Sequence, residues 1–232
     1  RVDRAVRAAA VGPWKSADSG VYPYILQNNI WTGTNSGRVE DWFLPTTTAK
    51  TSAQSRGFFT LGTLSGANAV VSYHQFPCSR YYAVAKPVNK AQRITVYDAQ
   101  WQEVGSWVMD TPNPVLLAFS QVAGQDVRVA VATTGAHKTV AELYSLTGTR
   151  VGVWELSGTH QGVSQLTSVP NNGAWSLVAI VTKGKTKELI TAVDAKTIGS
   201  VSLPGADYRL AAGDLDGRGQ GSIMVAPAVV ST

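Results

Sequence analysis

The sequence predicts an all-β fold of repeated four-stranded antiparallel units, and three observations predict it. Val, Thr, Ser, Gly and Trp are abundant, while helical periodicity is nearly absent over windows long enough to hold a helix. Short segments alternate apolar and polar residues and end in turn residues, as half-buried strands do. The same segments also return at a fixed interval. VGSW at 104–107 is followed 47 residues later by VGVW at 151–154, and after the same step by IGSV at 198–201.

The elements before these motifs repeat as well. ITVYDAQ from Ile94, VAELYSLTG from Val140 and LITAVDAK from Leu189 each form an alternating run that closes on a turn signal. LAFSQVAGQDVRVAVA from Leu117, QLTSVPNNGAWSLVAIV from Gln165 and LAAGDLDGRGQGSIMVA from Leu210 each read as strand, Gly-containing turn, strand. FTLGTLSGANAVVSY from Phe59 reads the same way. In the first unit, NIWTGTNSG from Asn29 and VEDW at 39–42 fill the slots of ITVYDAQ and VGSW. Trp31, Trp42, Trp107 and Trp154 thereby fall at equivalent strand positions, and their repetition argues for packing between neighbouring units.

A four-stranded unit of about 40–50 residues is the size of a propeller blade. A β-sandwich would also supply short strands, but it would not repeat one turn chemistry at a constant step. The expected fold is thus a β-propeller of four or five blades, or part of a larger ring. The units span about 16–57, 58–112, 113–159, 160–206 and a partial 207–232, preceded by a linker or short helix over 1–15. Pairing of the two ends would close the ring, and the alternative is that further chain or subunits complete it.

Hydrophobic residues make up 44% of the 232, enough for a sizeable core. The formal charge of +5 would suit an anionic partner, but Lys and Arg are scattered. Their densest group, Lys183, Lys185 and Lys187, alternates as a hairpin end would. No basic run is interleaved with aromatics, so nucleic acid is not the expected partner. The single cysteine, Cys78, excludes an internal disulfide. No apolar run approaches the roughly 18 residues of a membrane-spanning helix. The start at Arg1 without Met reads as a mature, processed or excised piece.

GDLDGRGQGSIMVA at 213–226 has the alternating carboxylates and glycine turns of a calcium loop, in Asp214, Asp216, Gly217 and Gly219. The stretch LAAGDLDGRGQGSIMVA resembles the FG-GAP and VCBS repeats of integrin-α-like β-propellers, and the resemblance runs through three or four units after Phe59. It implies a calcium loop between the first two strands of a blade, with Asp214 and Asp216 as ligands. Arg218 and Ser222 stand where that family usually places further carboxylates. Calcium takes six to eight oxygens, several of them charged, and two carboxylates beside an arginine supply little of that. The expectation is a structural turn and no cofactor, with calcium at Asp214 and Asp216 as the metal alternative.

No paired carboxylates, G-x-S-x-G or phosphate loop appears elsewhere, and His74, His137 and His160 lack metal-ligand spacing. SADSGVY at 16–22 resembles a single Asp box of sialidase-type propellers, which is a structural turn there. The segment 72–92 reads as an insertion lengthening its repeat, rich in aromatics and Arg, the usual anchors of interfaces. Tyr73, His74, Phe76 and Arg80 are its candidate contact residues. Trp101 in DAQWQE sits at a hairpin tip, either presenting its indole for stacking or folded back on the hairpin. The expected function is a non-enzymatic binding, adhesion or scaffolding module of a secreted or cell-surface protein, with a protein or glycan ligand. The alternative is a propeller belonging to, or accessory to, a secreted carbohydrate-active enzyme.

Overall fold

A computed structural model describes residues 6–15, 26–34, 38–44, 54–60, 69–75, 79–98, 100–133, 137–171, 173–204, 207–213 and 221–227. These residues form strands and turns, with no helix among them. Sheet I comprises β1 (Val6–Lys15), β2 (Leu26–Thr34), β3 (Arg38–Leu44) and β4 (Gln54–Thr60). Sheet II comprises β5 (Ala69–Gln75), β6 (Ser79–Val88), β7 (Ala91–Tyr97) and β8 (Glu103–Met109). Sheet III comprises β9 (Val115–Ser120), β10 (Arg128–Thr133), β11 (His137–Ser145) and β12 (Arg150–His160). Sheet IV comprises β13 (Gly162–Asn171), β14 (Ala174–Lys183), β15 (Thr186–Val193) and β16 (Lys196–Leu203). Sheet V has β17 (Tyr208–Gly213) and β18 (Ser222–Pro227).

Each four-stranded sheet is an antiparallel meander in chain order. The first strands stand next to one another in succession: β1 beside β5, β5 beside β9, β9 beside β13 and β13 beside β17. The second strands explain why the sheets stack. In β14 six consecutive residues, Ser176 to Val181, are buried, and in β10 the four residues Val129 to Ala132 are. A strand buried on both faces reads as an unbroken apolar run and needs a neighbour on each side. The outer strands β8, β12 and β16 alternate or lie exposed, because only one face meets protein. Two clusters fill the seams between sheets. One joins Ala83, Ile94 and Val96 to Phe119 and Val129, and the other joins Leu143 and Trp154 to Leu177 and Ile190.

Trp107 and Trp154 occupy the fourth strands of successive sheets, as the 47-residue step requires. The first unit departs from the expected phase. Val6–Lys15 is strand β1 and not a linker or short helix, so sheet I begins ahead of 16. Trp31 then falls in β2 and Trp42 in β3, one strand earlier than the slots their motifs suggested. The segment from Phe59 closes β4 and does not open sheet II. The supposed insertion at 72–92 disappears with this correction. It consists of the end of β5, β6 and the start of β7, an ordinary part of a sheet. A last strand followed by a Gly-containing connector and a first strand has the same pattern as a strand–turn–strand unit, so the sequence pattern alone does not set the phase.

Candidate functional site

The third-to-fourth-strand turns place the chemistry at the seams. In sheets II and III these turns are the same structure. Asp98 N–H donates to the Gln102 carbonyl and Trp101 N–H to the Asp98 carbonyl; Ser145 N–H donates to Thr149 and Gly148 N–H to Ser145. The side chains repeat the match. Asp98 Oδ1 accepts the N–H of Gln100 and Gln102, each at 2.9 Å, and Ser145 Oγ accepts that of Thr149 at 3.0 Å. Short polar side chains at this position stabilise turns by bonding backbone N–H groups ahead of them. Both turns carry a left-handed residue at the same place, Gly148 at φ 92° and Trp101 at φ 61°. Sheet IV uses a tighter turn, in which Asp194 and Ala195 are both left-handed, the two-residue hairpin geometry.

At the seam between sheets II and III, the turn of sheet III lies on the outer strand of sheet II. A Cβ at Gly105 would stand 2.5 Å from the Leu146 carbonyl oxygen, so glycine is required there. Gly148 rests on the Trp107 ring, whose other contacts include Tyr144, stacked at 4.9 Å. The Tyr144 hydroxyl donates to Glu142 Oε2 at 2.5 Å and lies 3.1 Å from Met109 Sδ across the seam. Burial, then the bond to Glu142, push this phenol well above its ordinary pKa.

The seam between sheets III and IV has the same plan with different filling. Fully buried Trp154 donates its indole N–H to Thr197 Oγ1 at 2.9 Å. Arg128 on β10 pairs with Asp194 in the turn of sheet IV at 2.7 Å. Gln121 and Trp175 exchange backbone bonds between the sheets, at 3.1 and 2.7 Å. Alongside these ties runs a cleft of about 460 Å³. It is lined by Glu155, Ser157, Lys183, Glu188, Lys196 and Ser200 and by apolar Leu156, Ile190 and Ala195. Lys183 and Glu188 pair at 2.6 Å. Glu155 and Lys196 are exposed and have no ion-pair partner among the described residues. The cleft therefore offers one free carboxylate and one free ammonium, a fixed ion pair, and hydroxyls.

Trp101 is folded back on its hairpin. Its indole stacks on Tyr82 with centroids 4.3 Å apart and planes 9° off parallel, and Tyr97 lies tilted at 5.8 Å. Tyr73 and His74 lie in β5, in register with Tyr81 and Arg80 of β6. That hairpin places them at one end of sheet II, away from the cleft's own strands. Phe76, Cys78, Asp214 and Asp216 lie outside the described residues. The end of the Gly-rich loop is described: Gly221 N–H donates to the Pro170 carbonyl at 2.6 Å, and a Cβ there would collide with Val169 and Pro170. Among the described residues no three His, Cys, Asp or Glu gather as a metal site would need, and no helix is long and apolar enough to cross a membrane. Sequence reasoning missed the cleft, because its residues come from strands up to 45 positions apart. The available signal was one charge beside each of two repeat motifs, Glu155 after VGVW and Lys196 before IGSV.

No family model and no curated protein matches the chain. Among solved structures it is similar to a protein of unknown function from Bacteroides caccae, at 8% identity and a TM-score of 0.44, over 87% of this chain and 62% of that one. It is likewise similar to the SapL1 lectin in complex with α-methyl fucoside, at 12% identity and a TM-score of 0.44, over 85% of this chain and 65% of that one. The chain spans less than two thirds of the length of each.

Proposed function

We propose that this chain is a non-enzymatic binding module whose sheets are blades of a β-propeller, and that the cleft between sheets III and IV takes a neutral, hydroxyl-rich ligand such as a short glycan. The observation that carries the reading is the balance of charge in the cleft. Two carboxylates, Glu155 and Glu188, share the cleft with two ammonium groups, Lys183 and Lys196. No net field then favours an anion or a cation, despite the chain's overall +5. A sugar hydroxyl both donates and accepts, so carboxylate acceptors and ammonium donors side by side suit it. The volume lies within the range of small-ligand sites. Glu188 is engaged with Lys183, which leaves Glu155 alone as a free carboxylate; this favours binding over a two-carboxylate hydrolysis. The adjacency of β1, β5, β9, β13 and β17, with β17 also touching β1, supports the ring.

The test is a glycan array followed by calorimetry on the best hits. Neutral glycans should be retained, and Glu155→Gln and Lys196→Met should each weaken binding about tenfold, the worth of one hydrogen bond to a charged group. Capture restricted to sulfated or sialylated glycans, or affinities untouched by both substitutions, would overturn the reading.

A further inference from the structure

The fold gathers cations that the sequence scatters. Successive sheets point the same way. Arg128, where β10 begins, pairs with Asp194 in the third-to-fourth-strand turn of sheet IV, and the corresponding turn of sheet III sits at Gly105, near the start of β8. The second-to-third-strand hairpins of sheets II, III and IV therefore share the opposite end. In sheets II and IV they are the same two-residue turn, closed by Val88 opposite Ala91 and by Lys183 opposite Thr186. Asn89 and Gly184 take its left-handed position, and Lys90 and Lys185 follow them, both exposed. In sheet III, exposed Lys138 is the second residue of β11, at the same end. The hairpin of sheet II adds two cations, Lys86 and exposed Arg93, directly opposite each other on β6 and β7. Like charges in that relation destabilise a sheet, and an anion between them would relieve the repulsion. None of Lys86, Lys90, Arg93, Lys138 and Lys185 has an ion-pair partner among the described residues. Of the carboxylates at this end, Glu188 and Asp207 are held by Lys183 and Lys187, which leaves Asp110 and Glu155. The connecting segments here that lie outside the described residues, 35–37, 61–68, 134–136 and 205–206, contain no charged residue. At the other end Arg128 and Arg150 are paired with carboxylates, so the positive charge is one-sided.

We propose that the end carrying these hairpins docks on a membrane surface of anionic lipid headgroups. The cations ride on turns and strand ends at corresponding heights of successive sheets, so they project together toward a plane, and a bilayer surface is the partner that meets them all at once. Lysine predominates. It is a point charge on a flexible stem, suited to headgroups that move, where a single fixed anion would call for the planar fork of arginine. Partial burial lowers the Lys86 pKa, and a headgroup anion would restore the solvation that its ammonium lacks. The hairpin segments 86–93 and 183–187 contain no aromatic residue, so attachment is electrostatic and superficial. A single-stranded nucleic acid would find phosphate contacts there but no stacking platform. The inference rests on the common orientation of the sheets and not on the cleft.

The full 232-residue protein is sedimented with vesicles of phosphatidylcholine in which about a third of the lipid is phosphatidylserine, and with vesicles of phosphatidylcholine alone. Binding to the anionic vesicles only is expected, lost as salt rises from about 0.1 M to about 0.5 M, because salt screens exposed charges. Lys90→Gln and Lys185→Gln should each weaken it about fivefold, the worth of one lysine beside an anionic leaflet. Arg150→Gln removes the same charge from the opposite end and should leave vesicle binding unchanged. All three positions are exposed, so melts matching the parent's confirm that the variants are folded. No binding, or equal binding to the two kinds of vesicle, overturns the proposal. So does an equal loss in Arg150→Gln, which would trace the attraction to net charge alone. Tighter retention of a DNA duplex or a sulfated polysaccharide at the same salt also overturns it, and would assign this end to a polyanionic chain.

Discussion

The seam between sheets II and III is filled, and the seam between sheets III and IV holds a cleft, although both derive from one repeat. The registers identify the difference. Gly105, Gly152 and Gly199 lie opposite Val96, Leu143 and Thr191, so the next residue on each third strand is Tyr97, Tyr144 or Ala192. Tyr144 reaches across its seam to stack on Trp107 and approach Met109. Ala192 is buried in the core shared by sheets III and IV but is too short to span the seam as Tyr144 does, and sheet IV turns with two residues, Asp194 and Ala195. The repeat thus sets a glycine on each of these outer strands and a tryptophan two residues on in sheets II and III, while the side chain before the turn differs between the packed seam and the one that holds the cleft. The strongest way to break this comparison is to remove the element common to both seams. Trp154→Ala should cost about 4–5 kcal/mol and Trp107→Ala about 3, because Trp154 is fully buried and hydrogen-bonded while Trp107 is half-buried and its indole N–H has no partner among the described residues. Thermal melts of both variants check the order; equal losses would mean that the two seams are packed alike.

The next test exchanges the character of the seams. Tyr144→Ala should destabilise by about 3 kcal/mol, through lost stacking and an emptied volume between Trp107 and Met109. It should leave the glycan binding proposed for the cleft unchanged at temperatures where the variant is folded. Ser157→Tyr should do the reverse, occupying the cleft at an exposed position within about 0.5 kcal/mol of the parent's stability while ligand binding is lost. Calorimetry and melts on the pair separate the packed seam from the open one. Ligand binding that survives Ser157→Tyr would place the site elsewhere.

A smaller effect is expected at the two matching turns. Gly148→Ala forces a Cβ into the left-handed region and within 2.9 Å of the Trp107 ring, costing about 1–2 kcal/mol. Trp101→Gly at the matching position relieves a similar strain but forfeits the stack on Tyr82, so its net change should stay within about 1 kcal/mol. Melting curves that show Trp101→Gly to be the more damaging would make the indole a main structural support of sheet II.

These residues also mark what could be read from the sequence. The four-stranded unit and its step followed from VGSW, VGVW and IGSV, because a glycine returns at the same outer-strand register, opposite Val96, Leu143 and Thr191 in turn. The phase of the first unit did not follow. Trp42 sits on a third strand, and tryptophan alone does not distinguish strands that share an alternating pattern. Trp101 was legible as a hairpin-tip residue, but only the fold brings Tyr82 beneath it from another strand. The cleft was illegible for a similar reason. Glu155 and Lys196 are ordinary solvent-facing charges locally, and their convergence depends on how sheet IV leans on sheet III.

The smallest expected effect concerns the seam between sheets IV and V, where charge takes the place of the aromatic filling. Lys187 on β15 donates to Asp207 Oδ1 just before β17. The hydrogen bond from Lys187, then its positive charge, hold the Asp207 carboxyl below its ordinary value. A carboxyl with a depressed folded pKa contributes stability that is fully present above its unfolded value, near 3.8, and is lost as pH falls through the folded one. At neutral pH the pair is thus intact, and its loss belongs to the acid range. Asp207 is exposed, so solvent and salt screen the pair and the effect on the melt should be slight. The carboxyl itself reports it better. Carbon-detected NMR titration should place the Asp207 midpoint below that of an unpaired aspartate, and Lys187→Met should raise it back toward the ordinary value. An unchanged midpoint in Lys187→Met would leave the packing of β17 on β13 as the tie between these two sheets.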